Sequence, residues 1–435
     1  MSAHEDELSI EEAERLAATP TAYVPPRVRY MAGIDGVASC PTFTPGEEHA
    51  GPLPVFYRRH ELVVPREQAR AVAEVLPRLG GGEQDERDTG RSEAVIFLVN
   101  GDALTVAREL KRLSRKRKAG LPKDLRVGPH HVLTLTPKPR IGPGGDPVPT
   151  ADRWEPGPKT RSEGVGVAVV DTGIWKKPEA PGLEPEQSGG DEDPLDTAPA
   201  DGVVDWYGGA HGGFIAGVVR GRVATLPVFV ENAFGADGLT ELSVVTQVDE
   251  VIGKHGILVL NLSLGSYKDE QFGADLVFLD EAVQRWSQTD TLIVAAAGND
   301  GARQRFYPAA YAADRRYADC VVSVGALEDV SPLGPGIHSR PADFSNYGRW
   351  VTAWAPGVDV VSHYPRDLRF LYHDPAGRPA GTVPFPDGMA RWSGTSFAAP
   401  FVAAEIARYA ADNGVSPKEA WARIRSDRPF VVFSG

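Results

Sequence analysis

The sequence predicts an α/β protein in which a mostly parallel sheet, flanked by helices, follows a smaller α/β domain. The main evidence is a series of apolar runs without polar alternation, which is typical of strands buried on both faces. These runs are VGVAVVDTG, ATLPVFV, GILVLNLSLGS, DTLIVAAAGND and CVVSVGAL. Charge divides the chain similarly: residues 1–160 carry 23 basic and 23 acidic side chains, so the net charge of −13 resides in the remainder. This asymmetry also indicates two domains.

The segment ahead of the first apolar run predicts an arm and a compact domain. Residues 1–50 open with a helix cap and first turn at Ser9–Glu12 and continue into coil punctuated by Pro and Gly, so we expect a loosely held arm. Over residues 51–137, strand and helix patterns alternate in the order RHELVVP, REQARAVAEVLPRL, AVIFLVN, GDALTVARELKRLSRKRK and LRVGPHHVLTLTP. This alternation predicts a small α/β sandwich.

A Pro- and Gly-rich stretch at residues 138–164 follows, and it predicts an interdomain linker because this composition disfavours helices and interior strands. Residues 165–435 then predict one α/β domain. Within it, residues 175–205 form an insertion with nine acidic side chains. Three interpretations of the insertion stay open: a solvated loop, a docking surface for substrate or for the first domain, and a metal site.

Composition excludes several classes of protein. At 42% hydrophobic and 24% charged residues, the chain has ordinary globular usage. Cys40 and Cys320 are the only cysteines, which is too few for a disulfide scaffold and predicts free thiols. The acidic N-terminus shows no secretory signal, and no apolar window reaches the length of a membrane span, so a cytoplasmic protein is expected. The acidic second half argues against nucleic acid or a membrane as its main partner.

Three polar residues follow or precede apolar runs and together suit nucleophilic catalysis. Asp171 ends the first run, His211 opens GAHGGFIAGVV, and Ser396 begins a helix in RWSGTSFAAPFVAAEIA. In a parallel sheet such groups collect at the carboxyl ends of the strands. A serine hydroxyl needs an imidazole to take its proton, and the imidazole needs a carboxylate to fix its tautomer and stabilise its charge.

A fourth residue supplies an oxyanion donor. Asn299 ends LIVAAAGN and can present its side-chain amide to a tetrahedral intermediate beside the N–H of Ser396. Gly394 leaves space for an approaching substrate. The four residues predict acyl transfer.

The sequence here resembles the subtilases, the subtilisin-like serine proteases. The order Asp, His, Ser is that family's order. Nine short sequence motifs typical of the family also occur in the family's order along residues 165–412. They are VVDTGI, HGGFIAG, NLSLGS, AAAGN, YPAAY, VVSVGAL, DFSNYG, APGVDVVS and GTSFAAPFVAA. The chain departs from the family at Gly213 and Phe214, where Thr and His are usual; neither belongs to the triad, so we expect activity to survive.

The resemblance implies a subtilisin-like fold and a role for each matched residue. Asp171, His211 and Ser396 would form the triad and Asn299 the oxyanion hole. The edge segment Ser263, Leu264 and Gly265 would pair with an extended peptide by strand addition. The pocket that accepts the substrate side chain before the scissile bond would have a second wall, formed by Ala295, Ala296, Ala297 and Gly298. The small size of these residues predicts a pocket that is not closed off. The reaction would need no organic cofactor. Subtilases often bind calcium, but the acidic residues of the insertion lack calcium-loop spacing, so no metal is assigned.

The first domain resembles, through its position, its element order and VGPHHVLTL, the ferredoxin-like propeptide found ahead of many subtilase domains. It would therefore serve the chain as an intramolecular inhibitor or chaperone. Its second helix is basic between Arg108 and Lys118. We hypothesise that this helix docks on the acidic domain, at the insertion; a solvated helix face and a nucleic-acid patch are the alternatives. His130, His131 and both cysteines are expected to be structural or surface residues.

Taken together, the residues and the resemblance predict a serine endopeptidase that acts on peptide or protein substrates. A narrower version is a maturation or processing protease for one cellular peptide, against which broad casein digestion would argue. The alternative from another class is a catalytically silent homologue that binds peptides. Covalent labelling of Ser396 by a fluorophosphonate separates an enzyme from a silent homologue.

Overall fold

A computed structural model describes fourteen parts of the chain. They are residues 8–18, 36–40, 53–84, 93–135, 146–159, 164–174, 203–204, 210–235, 238–256, 258–268, 274–328, 340–374, 378–426 and 431–433. Most of the acidic insertion, and the beginning and end of the segment predicted as a linker, therefore lie outside the described residues.

Among the described residues up to residue 135, the elements are one arm helix, six strands, two further helices and a 3₁₀ turn at Leu76–Leu79. In chain order the helices and strands are α1 (Ile10–Ala18), β1 (Val37–Cys40), β2 (Val55–Pro65), α2 (Arg66–Ala73), β3 (Gly81–Gln84), β4 (Ala94–Val99), α3 (Ala103–Arg115), β5 (Gly128–His131) and β6 (Thr134–Leu135).

Four of these strands form an antiparallel sheet in the order β5-β2-β4-β3, the arrangement of a split βαββαβ unit. The short strand β1 pairs with the first part of β2. One face of the sheet packs with α2 and α3 around a core that includes Leu62, Val64 and Leu110. The other face, with Val63 and Ile96, shares a core with the helices of the larger domain.

The arm departs from the sequence prediction. Helix α1 is docked on the larger domain: Ala13 is fully buried in its core, and the Leu8 N–H donates to the Thr382 carbonyl at 3.0 Å. Glu14 also forms an ion pair with Arg391. The prediction of a loosely held arm is wrong for residues 8–18, because Leu8 and Ala13 pack against the core although most of the residues around them are charged or polar.

In the part of the chain that the structure describes, the larger domain is built on a sheet of eight strands. The elements between residues 146 and 328 are β7 (Val148–Pro149), β8 (Gly166–Asp171), β9 (Val203–Val204), α4 (His211–Arg222), β10 (Val228–Asn232), α5 (Glu241–His255), β11 (Leu258–Leu262), β12 (Leu264–Tyr267), α6 (Val277–Trp286), β13 (Leu292–Ala296), β14 (Phe306–Tyr307), a 3₁₀ turn (Ala309–Ala313) and β15 (Val321–Glu328). The remaining elements are β16 (Arg340–Pro341), β17 (Ala353–Pro356), β18 (Val360–His363), β19 (Arg369–His373), β20 (Pro379–Pro384), β21 (Met389–Trp392), α7 (Thr395–Asn413), α8 (Pro417–Arg425) and β22 (Val431–Val432).

Seven strands of the main sheet run parallel in the order β10-β8-β11-β13-β15-β17-β22, and β16 adds antiparallel to β15. Alternate strand residues face opposite cores, as pleating requires. Val167 and Val169 of β8 face α4 and α7, whereas Ala168 and Val170 face α5 and α6. Burial on both faces explains the continuous apolar runs.

The described part of the predicted linker, residues 146–159, lies along the larger domain. Its strand β7 pairs antiparallel with β21, an edge position where Pro149 is tolerated. The Trp154 indole N–H donates to the Gly217 carbonyl at 3.0 Å, and the Gly157 N–H donates to the Arg220 carbonyl. This part is therefore held on α4 after the chain leaves the smaller sheet.

Two other findings concern the described residues as a set. Cys320 is a buried free thiol, as predicted, and burial raises its pKa; the Cys40 side chain lies outside the described residues. None of the helices that the structure describes is long and apolar enough to cross a membrane.

Candidate active site

The main sheet and two helix starts bring four of the predicted residues to one edge. Asp171 is the last residue of β8, and Asn299 lies three residues beyond the end of β13. His211 is the first residue of α4 and Ser396 the second of α7. The strands end here at their carboxyl ends, where the sequence placed the chemistry.

Asp171 and His211 form a buried pair. The carboxylate Oδ1 and the imidazole Nδ1 are 2.8 Å apart, and neither residue is exposed. The same carboxylate oxygen accepts the Thr172 N–H at 2.8 Å, and the Thr172 hydroxyl accepts the Gly212 N–H at 3.0 Å. These bonds fix the carboxylate relative to the start of α4, so the imidazole has one orientation.

Aromatic rings pack against the His211 imidazole. The rings of Trp392 and Phe397 each lie 5.5 Å from the imidazole. Phe214, at the position where the sequence departs from the subtilase pattern, packs against both of these rings, with centroid distances of 5.5 Å to Trp392 and 4.7 Å to Phe397. Nε2 of His211 is buried and makes no hydrogen bond within the described residues. It is the ring nitrogen with capacity to take a proton if Nδ1–H donates to Asp171.

Ser396 is held by reciprocal contacts with Ser263. Its hydroxyl points to the Ser263 carbonyl oxygen at 3.5 Å, while the Ser263 hydroxyl donates to the Ser396 carbonyl at 3.0 Å. The Asn261 side-chain amide in turn donates to the Ser263 hydroxyl at 2.9 Å. Ser396 lies in the first turn of α7, where backbone N–H groups have no acceptor within the helix and the helix dipole favours negative charge.

Thr395 determines which atom of Asn299 faces the serine. The Asn299 Oδ1 accepts the Thr395 N–H at 2.9 Å and the Thr395 hydroxyl at 2.8 Å. A backbone N–H can only donate, so the acceptor atom of the amide is assigned without ambiguity. The NH₂ group is therefore on the opposite side of the amide from Thr395. Thr395 was not singled out in the sequence, although it stands between Gly394 and Ser396.

The pocket expected to be open is filled. A Cβ placed on Gly265 would lie 2.5 Å from Cε1 of Phe306, and one placed on Gly298 would lie 3.2 Å from Cγ of the same ring. The ring therefore lies between the two glycines of the opposing walls, and Phe306 is 1% exposed. The prediction of a pocket that is not closed off is wrong, because small wall residues admit a side chain from the protein itself. Ala295, Ala296 and Ala297 are fully buried.

A polar network behind the ring keeps it in place. Phe306 packs edge-on against Tyr267 with ring centroids 5.0 Å apart. The Tyr267 hydroxyl donates to Asp300 at 2.5 Å and accepts an N–H of the Asn346 side chain at 2.8 Å. The Asn346 amide also donates to the Ala297 carbonyl, and its oxygen accepts the Asp300 N–H. Tyr267, Asp300 and Asn346 were not identified as site residues from the sequence.

The edge segment predicted to bind a peptide is paired with the chain's own strand β6. Leu135 is opposite Leu264 and Thr134 opposite Gly265 in an antiparallel ladder. One residue earlier, the Leu133 N–H donates to the Leu239 carbonyl at 2.7 Å. The first domain thus ends, in the described residues, as a strand on the segment that flanks Ser396.

Two buried histidine–glutamate pairs hold β5 beside this strand. His131 Nδ1 and its own N–H both contact Glu241 Oε1, at 2.9 and 3.1 Å, while Oε2 accepts the Leu279 N–H. His130 Nδ1 lies 2.7 Å from Glu61. All four side chains are buried, so the expectation of a structural role for the histidines fits their positions; Glu241 was missed because its partners are distant in sequence.

Lys111 connects the basic helix to the larger domain. Lys111 of α3 forms a 2.7 Å ion pair with Asp275, whose carboxylate also accepts the Val127 N–H. Arg112 pairs within its own helix with Glu109, and Lys116 is exposed. The hypothesised contact with residues 175–205 falls largely outside the described residues. Among the described residues, no group of three or more His, Cys, Asp or Glu side chains could hold a metal ion.

Comparison with known proteins decides the family. The sequence model of the subtilase family matches residues 162–426, more than half of the chain. The chain belongs to the subtilase family. It is accordingly a serine endopeptidase with a subtilisin-like α/β fold, and this confirms the predicted fold class and enzyme class.

The proteins similar to this subtilase match it over different shares of their own length. Subtilisin BL of Lederbergia lenta is 32% identical over 211 residues, which are 46% of this chain and 67% of that protein. An alkaline protease of Shouchella clausii has the same identity over 46% of this chain but 47% of its own length, so the chain spans about half of the longer relatives. Fervidolysin of Fervidobacterium pennivorans, a keratinolytic enzyme, matches in structure with a TM-score of 0.54 and 20% identity, over 85% of this chain and 57% of that one.

Proposed function

We propose that this subtilase hydrolyses peptide bonds with Asp171, His211 and Ser396 as a catalytic triad and Asn299 as the side-chain oxyanion donor. The observation that carries the proposal is the buried 2.8 Å contact between Asp171 and His211 at the sheet edge where α7 presents Ser396. The subtilase family match supports the reaction class, and the geometry supports the residues.

Each step is assigned to a group of the chain. His211 Nε2 takes the Ser396 proton as Oγ attacks the peptide carbonyl, and Asp171 stabilises the resulting imidazolium. The tetrahedral oxyanion accepts hydrogen bonds from the Asn299 amide and the Ser396 N–H. His211 then protonates the leaving amine, the acyl-enzyme forms, and water activated by the same imidazole releases the product.

The experiment compares the native chain with Ser396→Ala. The native chain should take up one fluorophosphonate per molecule and cleave a peptide substrate, whereas Ser396→Ala should do neither. Ser393→Ala is the matched control, because Ser393 is an equally buried serine three residues away whose hydroxyl accepts the Asp359 N–H. A native chain that folds but takes up no label would support the silent peptide-binding homologue and overturn the proposal.

We further propose that the first domain, residues 51–137, is an intramolecular inhibitor. Its support is the pairing of β6 with Leu264 and Gly265, because a strand already on this edge excludes a substrate strand. Leu135 is 2% exposed there, so a carboxylate in its place would disfavour docking.

Leu135→Glu tests the inhibition. The rate of fluorophosphonate labelling and kcat/KM for a short peptide should both rise in Leu135→Glu. Leu98→Glu is the matched control, since Leu98 lies on the same domain and is 41% exposed. Equal rates in the native chain and Leu135→Glu would refute the inhibitory role and leave the triad proposal untouched.

A further inference from the structure

Phe306 occupies the position that a substrate side chain would need. A peptide paired with Ser263–Gly265, as β6 is, passes Ser396, whose hydroxyl lies 3.5 Å from the Ser263 carbonyl. Its carbonyl oxygen must point to the Asn299 amide. The side chain of the residue that supplies this carbonyl then enters the gap between the two chain segments that flank the serine, one containing Gly265 and the other Gly298.

The two glycines make this gap wide, and the phenyl ring closes it. The ring approaches the Cα positions of both glycines so closely that a methyl group on either would collide with it or press against it. It is almost fully buried and rests on Tyr267, which two polar partners hold. A ring confined in this way does not leave space for a second large side chain.

We infer that Phe306 is a specificity-determining residue that restricts this subtilase to substrates with a small residue, glycine, alanine or serine, immediately before the scissile bond. The inference rests on the proposed function, because it places the acyl group at Ser396 and Asn299. The inference extends that proposed function by naming the class of substrate. A pocket already filled by protein offers an incoming aromatic side chain no apolar surface to bury and imposes a clash.

The test uses two peptidyl phosphonates that differ only in the residue next to phosphorus, an alanine or a phenylalanine analogue. The rate of covalent labelling at Ser396 is measured by intact mass on the full chain. Because the chain's own strand competes with both probes equally, the ratio of the two rates reports the pocket. The native chain should label at least about tenfold faster with the alanine probe.

Phe306→Ala should lower or reverse that ratio by about tenfold or more, because it opens a space the size of the ring. Phe306→Leu should shift it in the same direction by less, which covers the case in which the alanine variant fails to fold. Phe385→Ala is the matched control: Phe385 is equally buried but belongs to the core on the α4 and α7 side, so the ratio should stay unchanged.

Two outcomes would overturn the inference. They are equal labelling of the native chain by both probes and an unchanged ratio in Phe306→Ala. If β6 keeps both peptidyl probes from the native chain, the same ratios are measured in the Leu135→Glu background. A chain that takes up no fluorophosphonate at all overturns the proposed function instead, and this inference with it.

Discussion

The orientation of one amide decides whether Asn299 can act on an oxyanion. Two donors from Thr395 converge on Oδ1, so the NH₂ group is preorganised before substrate arrives. Preorganised donors contribute most when they need no rearrangement during the reaction. We expect Asn299→Ala to lower kcat by about a hundred- to a thousandfold with little change in KM.

Thr395→Val separates orientation from the donor itself. It removes the hydroxyl contact but keeps the backbone N–H, so kcat should fall by less than in Asn299→Ala. Thr395→Ser keeps both contacts and should retain most of the activity. Rates are normalised by active-site titration with a fluorophosphonate. An Asn299→Ala enzyme within threefold of the native rate would show that the backbone donor alone suffices.

His363 makes the stability of the larger domain depend on pH. Its ring is buried, lies tilted at 4.2 Å from the Trp154 ring, and has no hydrogen-bond partner at either nitrogen within the described residues. Burial lowers its pKa to about 4, from an ordinary 6.5. The unfolded chain therefore binds this proton at a higher pH than the folded chain. The free energy of unfolding therefore decreases by about 3 kcal/mol as the pH falls from above 6.5 toward 4.

His363→Phe should remove that dependence. Between pH 7.5 and pH 4.5, the free energy of unfolding in urea should fall by about 2 to 3 kcal/mol less in the variant than in the native chain. His60→Phe, at an exposed histidine of the smaller sheet, is the control and should follow the native curve. Parallel curves for His363→Phe and the native chain would contradict the assignment.

At the scale of elements, local sequence patterns predict the strands and helices, but they do not predict contacts between residues that are distant in the sequence. The parallel strands follow from apolar runs, and the chemistry at their ends follows from Asp171 and Asn299. Phe306 could not be identified in this way, because nothing near it in the sequence says that Gly265 and Gly298 lie on either side of its ring. The same reason explains Ala13: a single buried alanine in a charged helix carries no periodic signal.

At the same scale, reversing a single charge tests the docking of α3 on the larger domain. The side chains of Lys111 and Asp275 are 14% and 24% exposed, so their ion pair is partly shielded from water. Lys111→Glu would place two carboxylates where the pair now lies and should weaken docking by about 2 kcal/mol. Hydrogen exchange at the Leu133 amide, which bonds to Leu239 across the interface, should then become faster.

Lys116→Glu provides the matched control for this prediction. Lys116 lies one turn further along, at the end of the same helix, and is exposed, so the reversal changes net charge equally without touching the interface. Its exchange should match that of the native chain. If both variants exchange alike, the ion pair does not contribute to docking.

At the scale of the whole molecule, the part of the chain before residue 136 holds the protease at two separate places. Helix α1 and Leu8 contact the region of Thr382 and Arg391, while the smaller sheet packs on α6 and places β6 on the segment Leu264–Gly265. Two contacts joined by one chain bind more tightly than either alone, because the second forms at a high effective concentration.

A cut introduced between Leu135 and Asp146 should therefore leave two fragments that elute together in size-exclusion chromatography. Ala13→Arg would expel α1 from its buried position, and the fragments should then separate at a protein concentration at least about a hundredfold higher than without the substitution. Ile10→Arg is the matched control, since Ile10 is 48% exposed on the same helix. Fragments that separate at once would show that the sheet and the arm do not act together, and an Ala13→Arg variant that behaves like Ile10→Arg would show that the arm adds nothing to retention of the inhibitor-like domain.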